Sequence, residues 1–122
     1  VTVVKKILIV DDEETSRRIL ALALEGKDHQ LVFAKDGLEA LEAAVRETPD
    51  LIVMDIDLPK MNGYDAARRI RETPGLRRTK IAAVTARTVQ YSEAMARQAG
   101  CDDFITKPYR LAAIRERLAR LL

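Results

Sequence analysis

Five short apolar runs alternate with five stretches of helical period, and no other feature of this chain limits its fold as tightly. The runs occupy residues 6–10, 30–34, 51–54, 81–84 and 103–106. The first, third and fourth are apolar without interruption, the pattern of central parallel strands covered on both faces. The stretches at 14–25, 37–47, 64–72, 89–99 and 110–121 space their apolar residues for helices. Ile19, Leu20 and Leu24 are expected to face a core from the first of these, and Leu38, Leu41 and Val45 from the second. Ile70 anchors the third, and Leu111, Ile114, Leu118 and Leu121 form a stripe on the last. The fourth offers only Val89 and Met95 as sizeable anchors and is expected to be loosely held. Gly26, Pro49 and the Pro74-Gly75 pair are the predicted stops. Five βα units in series predict an α/β fold, a doubly wound five-stranded parallel sheet with helices on both faces.

A chain of 122 residues suits one domain, spanning 1–122. Its single cysteine, Cys101, excludes an internal disulfide; it is expected to be a buried filler and suits a reducing, cytoplasmic setting. No apolar run approaches the roughly 18 residues of a membrane span. The start at Val1 leads straight into the first strand, so no secretory leader is expected. The net charge is only +2, yet it is unevenly spread. Residues 1–62 hold 8 Lys and Arg against 13 Asp and Glu, whereas residues 63–122 hold 13 against 6. The first half therefore predicts an acidic site, and the second predicts arginine-rich solvated helix faces. Basic residues interleaved with aromatics are missing, so direct nucleic-acid binding is not expected. His29 is expected in a solvated turn.

In an open doubly wound sheet the ligand site lies beyond the carboxyl ends of the strands. Those ends carry Asp11-Asp12, then Asp55-Ile56-Asp57, then Thr85-Ala86, and finally Thr106-Lys107-Pro108. Carboxylates brought together need a countercharge. Converging oxygen ligands with room for water suit Mg²⁺, and a lysine from the far side can neutralise charge or grip an anion. Such a set suits phosphoryl transfer, where positioning and charge neutralisation do most of the catalysis. An aspartate can be the nucleophile, forming an acyl phosphate. Asp55, alone at the end of a central strand, is the best placed. The plainer alternatives are that Asp11-Asp12 caps a helix, Thr85 caps another, and Lys107 is a surface residue.

The sequence resembles a response-regulator receiver domain over essentially its whole length. The resemblance rests on Ile7-Leu8-Ile9-Val10-Asp11-Asp12, on Leu51-Ile52-Val53-Met54-Asp55 followed by Leu58-Pro59 and Met61-Asn62-Gly63, on Val84-Thr85-Ala86, and on Lys107-Pro108. It extends to single-domain receivers of the chemotaxis-regulator or DivK-like type and to receivers of hybrid kinases. It implies a flavodoxin-like fold with strand order 2-1-3-4-5. It implies that Asp55 accepts a phosphoryl group from a phosphohistidine on a sensor histidine kinase or histidine phosphotransfer protein. It assigns Mg²⁺, with Mn²⁺ as substitute, to Asp12, Asp55 and the main-chain carbonyl of Asp57, with Asp11 acting through water. Thr85 and Lys107 would hold phosphoryl oxygens, the Lys107-Pro108 bond would be cis, and Phe104 would be the aromatic switch. The face of the fourth helix, fifth strand and fifth helix would then read out the change to a downstream protein target. Such a domain is not an enzyme in the ordinary sense, since it catalyses only its own phosphorylation and dephosphorylation.

Two residues beside this set, Asp57 and Arg87, are expected to pair across the mouth of the site and slow loss of the phosphoryl group. A rival reading is an aspartate-nucleophile phosphatase of the haloacid dehalogenase type, which Asp55-Ile56-Asp57 also fits. That reading leaves Asp11-Asp12 without a role and finds Pro59 where Thr or Val is preferred. A nucleotide- or flavin-binding module would need a glycine-rich loop where this chain has Asp11-Asp12-Glu13-Glu14. A receiver-like scaffold without phosphoryl chemistry would not need the full set.

Overall fold

The computed structural model describes residues 3–26, 28–88 and 90–122; Val1, Thr2 and Val89, which entered the sequence reading, lie outside them. Strands and helices alternate as β1 (Lys5–Val10), α1 (Glu14–Leu24), β2 (His29–Ala34), α2 (Gly37–Glu47), β3 (Leu51–Asp55), α3 (Gly63–Glu72), β4 (Lys80–Thr85), α4 (Glu93–Gln98), β5 (Asp103–Thr106) and α5 (Leu111–Ala119). All strand pairings are parallel, in the order β2-β1-β3-β4-β5.

Period-two alternation splits the core into two layers. Leu8, Val10, Ile52, Met54, Ile81 and Ala83 face α2, α3 and α4. Ile7, Ile9, Leu51, Val53, Ala82 and Val84 face α1 and α5. Residues 7–10, 51–54 and 81–84 of the central strands are apolar without a break because both of their faces are covered.

The helices correct several expectations. Ile19, Leu38, Val45 and Leu111 are exposed, at 40%, 44%, 54% and 39%. The sheet-facing positions belong to Leu20, Ala23 and Leu24 in α1, and to Ala40, Ala43 and Ala44 in α2. In α2 the alanines let the helix backbone sit close to the sheet. Helix α1 does not stop at a left-handed Gly26; the chain turns extended at Glu25. The carbonyl of Ala23 accepts a bond from Arg115 Nε at 2.9 Å, so an α5 arginine satisfies an acceptor left over at the helix end. Arg117 likewise grips Asp103, with Nη2 2.5 Å from Oδ1 and Nε 3.1 Å from Oδ2. These two arginines are therefore not simply a solvated face. His29 is not in a turn: it opens β2, half-buried, with Nδ1 2.5 Å from the carbonyl oxygen of Leu24.

Helix α4 is shorter than the periodicity of 89–99 predicts. Ser92 caps it, its hydroxyl accepting from Met95 N at 3.2 Å, and residues 90 and 91 close a turn onto the Arg87 carbonyl. The local serine–backbone bond outcompetes another helical turn. Ala96 is the buried residue of this helix, and Met95 is only partly covered.

Candidate functional site

Strand register sets the site. Val10 pairs with Met54, Asp55 with Val84, and Thr85 with Thr106, so the chain leaves β1, β3, β4 and β5 along one rim. Asp11 follows β1 and is 1% exposed; Asp55 ends β3 at 9%; Thr85 ends β4 fully buried. Asp12 faces solvent. The turn after β3 is closed by Gly63, whose amide donates to the Ile56 carbonyl at 2.9 Å. A β-carbon on Gly63 would lie 2.6 Å from the main-chain oxygen of Asp55, so only glycine lets α3 start this close.

Asp11, Asp12 and Asp55 bring one carboxylate oxygen each within 4.8 Å of the others. Lys107 Nζ lies 3.2 Å from Asp11 Oδ2 and 3.1 Å from Asp55 Oδ2. The Lys107-Pro108 bond is cis, as expected, and Lys107 N donates to the Thr85 carbonyl at 2.9 Å. Asp55 Oδ1 accepts from Asp57 N at 3.1 Å, and Asp11 Oδ1 from Glu13 N at 3.0 Å. Thr85 Oγ1 accepts from Arg87 N at 3.0 Å. Arg87 Nε meets Asp57 Oδ2 at 2.7 Å, so the expected ion pair is present. Asp12, Asp55, Asp57, Arg87 and Lys107 line one cleft.

Burial pushes the Asp55 carboxyl above its ordinary range; the Lys107 ammonium opposes this, and neighbouring Asp11 reinforces it. Burial works against the charge on Lys107, but Asp55 and Asp11 overcome it and the net direction is upward. Asp55 thus leans on the Lys107 ammonium to stay charged, and Lys107 on the two carboxylates. The donor set is all carboxylate oxygen and has one solvent-facing member. It fits a hard divalent cation that keeps some of its water, with Asp11, Asp12 and Asp55 as the residues able to hold it.

Of the residues singled out in the sequence, Asp11, Asp12, Asp55 and Lys107 come together, with Asp57, Thr85 and Arg87 at the border. Phe104 stands apart in β5, opposite Ala83, half-buried against the layer that holds α4. Sequence reasoning gave two neighbours no part in the site. Arg17 Nη1 donates to the Asp11 carbonyl at 2.7 Å and fixes the turn after β1; its only signal is a cation six residues beyond an aspartate. Tyr64 OH donates to the Ser92 carbonyl at 3.0 Å, joining the start of α3 to the cap of α4. Nothing in the spacing of residues 64 and 92 marks that contact.

A model of the response regulator receiver domain matches residues 7–119. Among curated proteins, the chain is 36% identical over 118 residues to the alkaline phosphatase synthesis transcriptional regulatory protein PhoP of Bacillus subtilis, covering 97% of this chain and 48% of PhoP. It is 35% identical over 104 residues to the polar-differentiation response regulator DivK of Brucella anthropi, covering 85% of each. The chain thus spans about half the length of PhoP and most of DivK. Among solved structures, the chemotaxis response regulator CheY4 of Vibrio cholerae superposes with a TM-score of 0.89 at 26% identity, over 98% of this chain and 99% of that one. The receiver domain of sensor histidine kinase PA1611 from Pseudomonas aeruginosa gives 0.87 at 32% identity, over 97% of each; that structure has a magnesium ion coordinated in its active site cleft.

Proposed function

This chain belongs to the response regulator receiver domain family, and on that premise we propose that Asp55 is its phosphoacceptor. The observation that carries the reading is Lys107 Nζ held between Asp11 and Asp55 beside a third carboxylate, Asp12. An Asp55 oxygen attacks the phosphorus of a phosphohistidine on a kinase or phosphotransfer partner. The P–N bond breaks, the imidazole departs and regains a proton, and Asp55 holds an acyl phosphate. Hydrolysis later returns the carboxylate and inorganic phosphate.

Bound at Asp11, Asp12, Asp55 and the main-chain carbonyl of Asp57, Mg²⁺ would supply positive charge to offset the phosphoryl oxygens. Asp11 would act there through water. Lys107 pairs with one phosphoryl oxygen, giving up part of its contact with the carboxylates. The Thr85 hydroxyl donates to another. The phosphoryl group adds roughly −1.5 to −2 charge by analogy with phosphoserine, and that charge draws Thr85 and Lys107 inward. Phe104 turns into the space behind Thr85, and the face of α4, β5 and α5 changes for a downstream protein target. On this reading the protein turns over only its own phosphoryl group. It works in the cytoplasm; no helix among the described residues is long and apolar enough to cross a membrane.

The phosphatase reading leaves Asp11 and Asp12 without a role, whereas Asp11 Oδ2 lies 3.2 Å from Lys107 Nζ, the ammonium that also meets Asp55. The test is incubation with Mg²⁺ and acetyl phosphate. The wild type gains the mass of one phosphoryl group and Asp55→Asn gains none; uptake by Asp55→Asn overturns the reading.

A further inference from the structure

The pole of the molecule away from Asp55 holds a second concentration of charge. Lys5 opens β1, Lys80 opens β4, and Arg77 and Arg78 lie in the loop before it. Lys5, Arg78 and Lys80 border a depression of about 320 Å³, and Arg77, Arg78 and Lys80 border another of about 460 Å³. The two hollows share Arg78, Thr79 and Lys80.

Among the described residues, none of these four cations has a carboxylate within 4 Å. Exposed arginines elsewhere do: Arg18, Arg68, Arg97 and Arg120 each pair with an acid three or four residues away in the chain. The acids at this pole are engaged already. Asp50 Oδ2 accepts from Lys6 N at 2.8 Å; Asp102 Oδ2 accepts from Arg71 Nη2 at 2.7 Å and from Ile81 N at 2.8 Å. The four lie outside the helices, so they do not serve as helix C-terminal charges. Asp50, which borders the first hollow, keeps its negative charge and offsets one of the four, so the pole retains a positive excess that an anionic ligand would relieve.

The loop that presents them is also pinned. Leu76 is 1% exposed and Thr79 6%. The Thr79 hydroxyl donates to the Pro49 carbonyl at 2.9 Å, and Arg71 donates to the carbonyls of Arg77 and Thr79. Arg77 and Arg78 are therefore displayed between two buried anchors, so a ligand does not have to order the loop.

We propose that this face docks an acidic segment of a partner protein. Carboxylates would meet Lys5, Arg77, Arg78 and Lys80, and aliphatic side chains would lie against Pro49 and Leu121 at the edge of the first hollow. Among the described residues no aromatic side chain borders either hollow, so stacked bases find no platform there, and a protein segment fits better than a single-stranded nucleic acid. The proposal does not depend on the phosphoryl chemistry.

The test is a titration of ¹⁵N-labelled protein with a capped peptide of glutamate, aspartate and leucine, and separately with oligothymidylate. The expected result is saturable shifts at amides near residues 5, 48–50 and 77–80. Affinity should fall about tenfold both in Arg78→Glu/Lys80→Glu and on raising salt several-fold. Arg77→Ala/Arg78→Ala should weaken binding in the same sense. An otherwise unchanged ¹⁵N–¹H spectrum and melting midpoint of the variants certify their fold. No shifts, shifts confined to another face, indifference to charge reversal, or tighter binding of oligothymidylate each overturn the proposal.

Discussion

The Arg87 guanidinium and the Asp57 carboxylate meet at 2.7 Å over the cleft that contains Asp55. Each lies two residues beyond a strand end, and both side chains are about half exposed, at 57% and 47%. A pair so exposed contributes little to stability, about 1 kcal/mol at most. On the proposed reading, its place over the cleft would give it a kinetic role instead, restricting the water that attacks the acyl phosphate. Arg87→Ala is expected to lose its phosphoryl group several-fold faster while melting within a degree or two of the wild type. Phosphoryl lifetime after donor removal measures this, and an unchanged lifetime contradicts it.

Gly63 sets how closely α3 approaches the end of β3. An added β-carbon meets the Asp55 oxygen at 2.6 Å and Ile56 Cα at 2.9 Å, both in backbone that cannot swing away. Gly63→Ala is expected to cost about 1–3 kcal/mol and to reduce phosphoryl uptake, because relief of the clash displaces Asp55. Denaturant unfolding and acetyl phosphate uptake test the two halves of this prediction.

The cation site predicts its own stabilisation. Mg²⁺ should raise the melting midpoint of the wild type, and a chelator should reverse the gain. Asp12→Asn should lose most of the gain. Without added metal the variant should melt no lower than the wild type, since it removes one charge from a cluster of three carboxylates. A full Mg²⁺ response in Asp12→Asn would contradict the assignment.

Burial pushes the Cys101 thiol up to about 12 from an ordinary 9.0, and the Tyr64 phenol up to about 12 from 10.0. Unfolding returns both to their ordinary values, so the unfolded chain loses these protons first. Their contribution is therefore intact below pH 9 and declines as pH rises from there toward about 12. Native protein at pH 8 should react with a thiol reagent only as fast as it opens, and Cys101→Ala should show a flatter alkaline decline. Rapid stoichiometric labelling of the native state would contradict this.

Arg71 is the fastener of the α3 end. It donates to the carbonyls of Gly100, Arg77 and Thr79 and to the Asp102 carboxylate. Arg71→Met is expected to cost about 2 kcal/mol, read from the denaturant midpoint, without removing phosphoryl uptake.

The strands were legible from their apolar runs, whereas their order came from the family resemblance and not from the residues themselves. A buried strand announces itself by continuous apolar residues, and the residue after it must lie at the sheet rim. That is why Asp11, Asp12, Asp55 and Lys107 could be placed together, and why the Asp57–Arg87 pair could be anticipated. The helix faces were harder. Ile19, Leu38, Val45 and Leu111 look like core by size, yet the sheet-facing positions go to Leu20, Ala23 and Leu24 in α1, to Ala40, Ala43 and Ala44 in α2, and to Ile114 and Leu118 in α5. Helix α4 was overextended because a serine cap at Ser92 leaves little mark on apolar periodicity. The roles of Arg17, Arg71, Arg115 and Tyr64 rest on contacts to backbone carbonyls distant in sequence, which a residue pattern does not record.

The central claim is that Asp55 alone carries the phosphoryl group, and borohydride reduction tests it most directly. An acyl phosphate on aspartate is reduced to homoserine, which peptide mapping locates. After incubation with Mg²⁺ and acetyl phosphate, homoserine is predicted at position 55 and nowhere else. Homoserine at 11, 12 or 57 with position 55 intact, or at no position in a sample that has gained phosphoryl mass, would contradict the account.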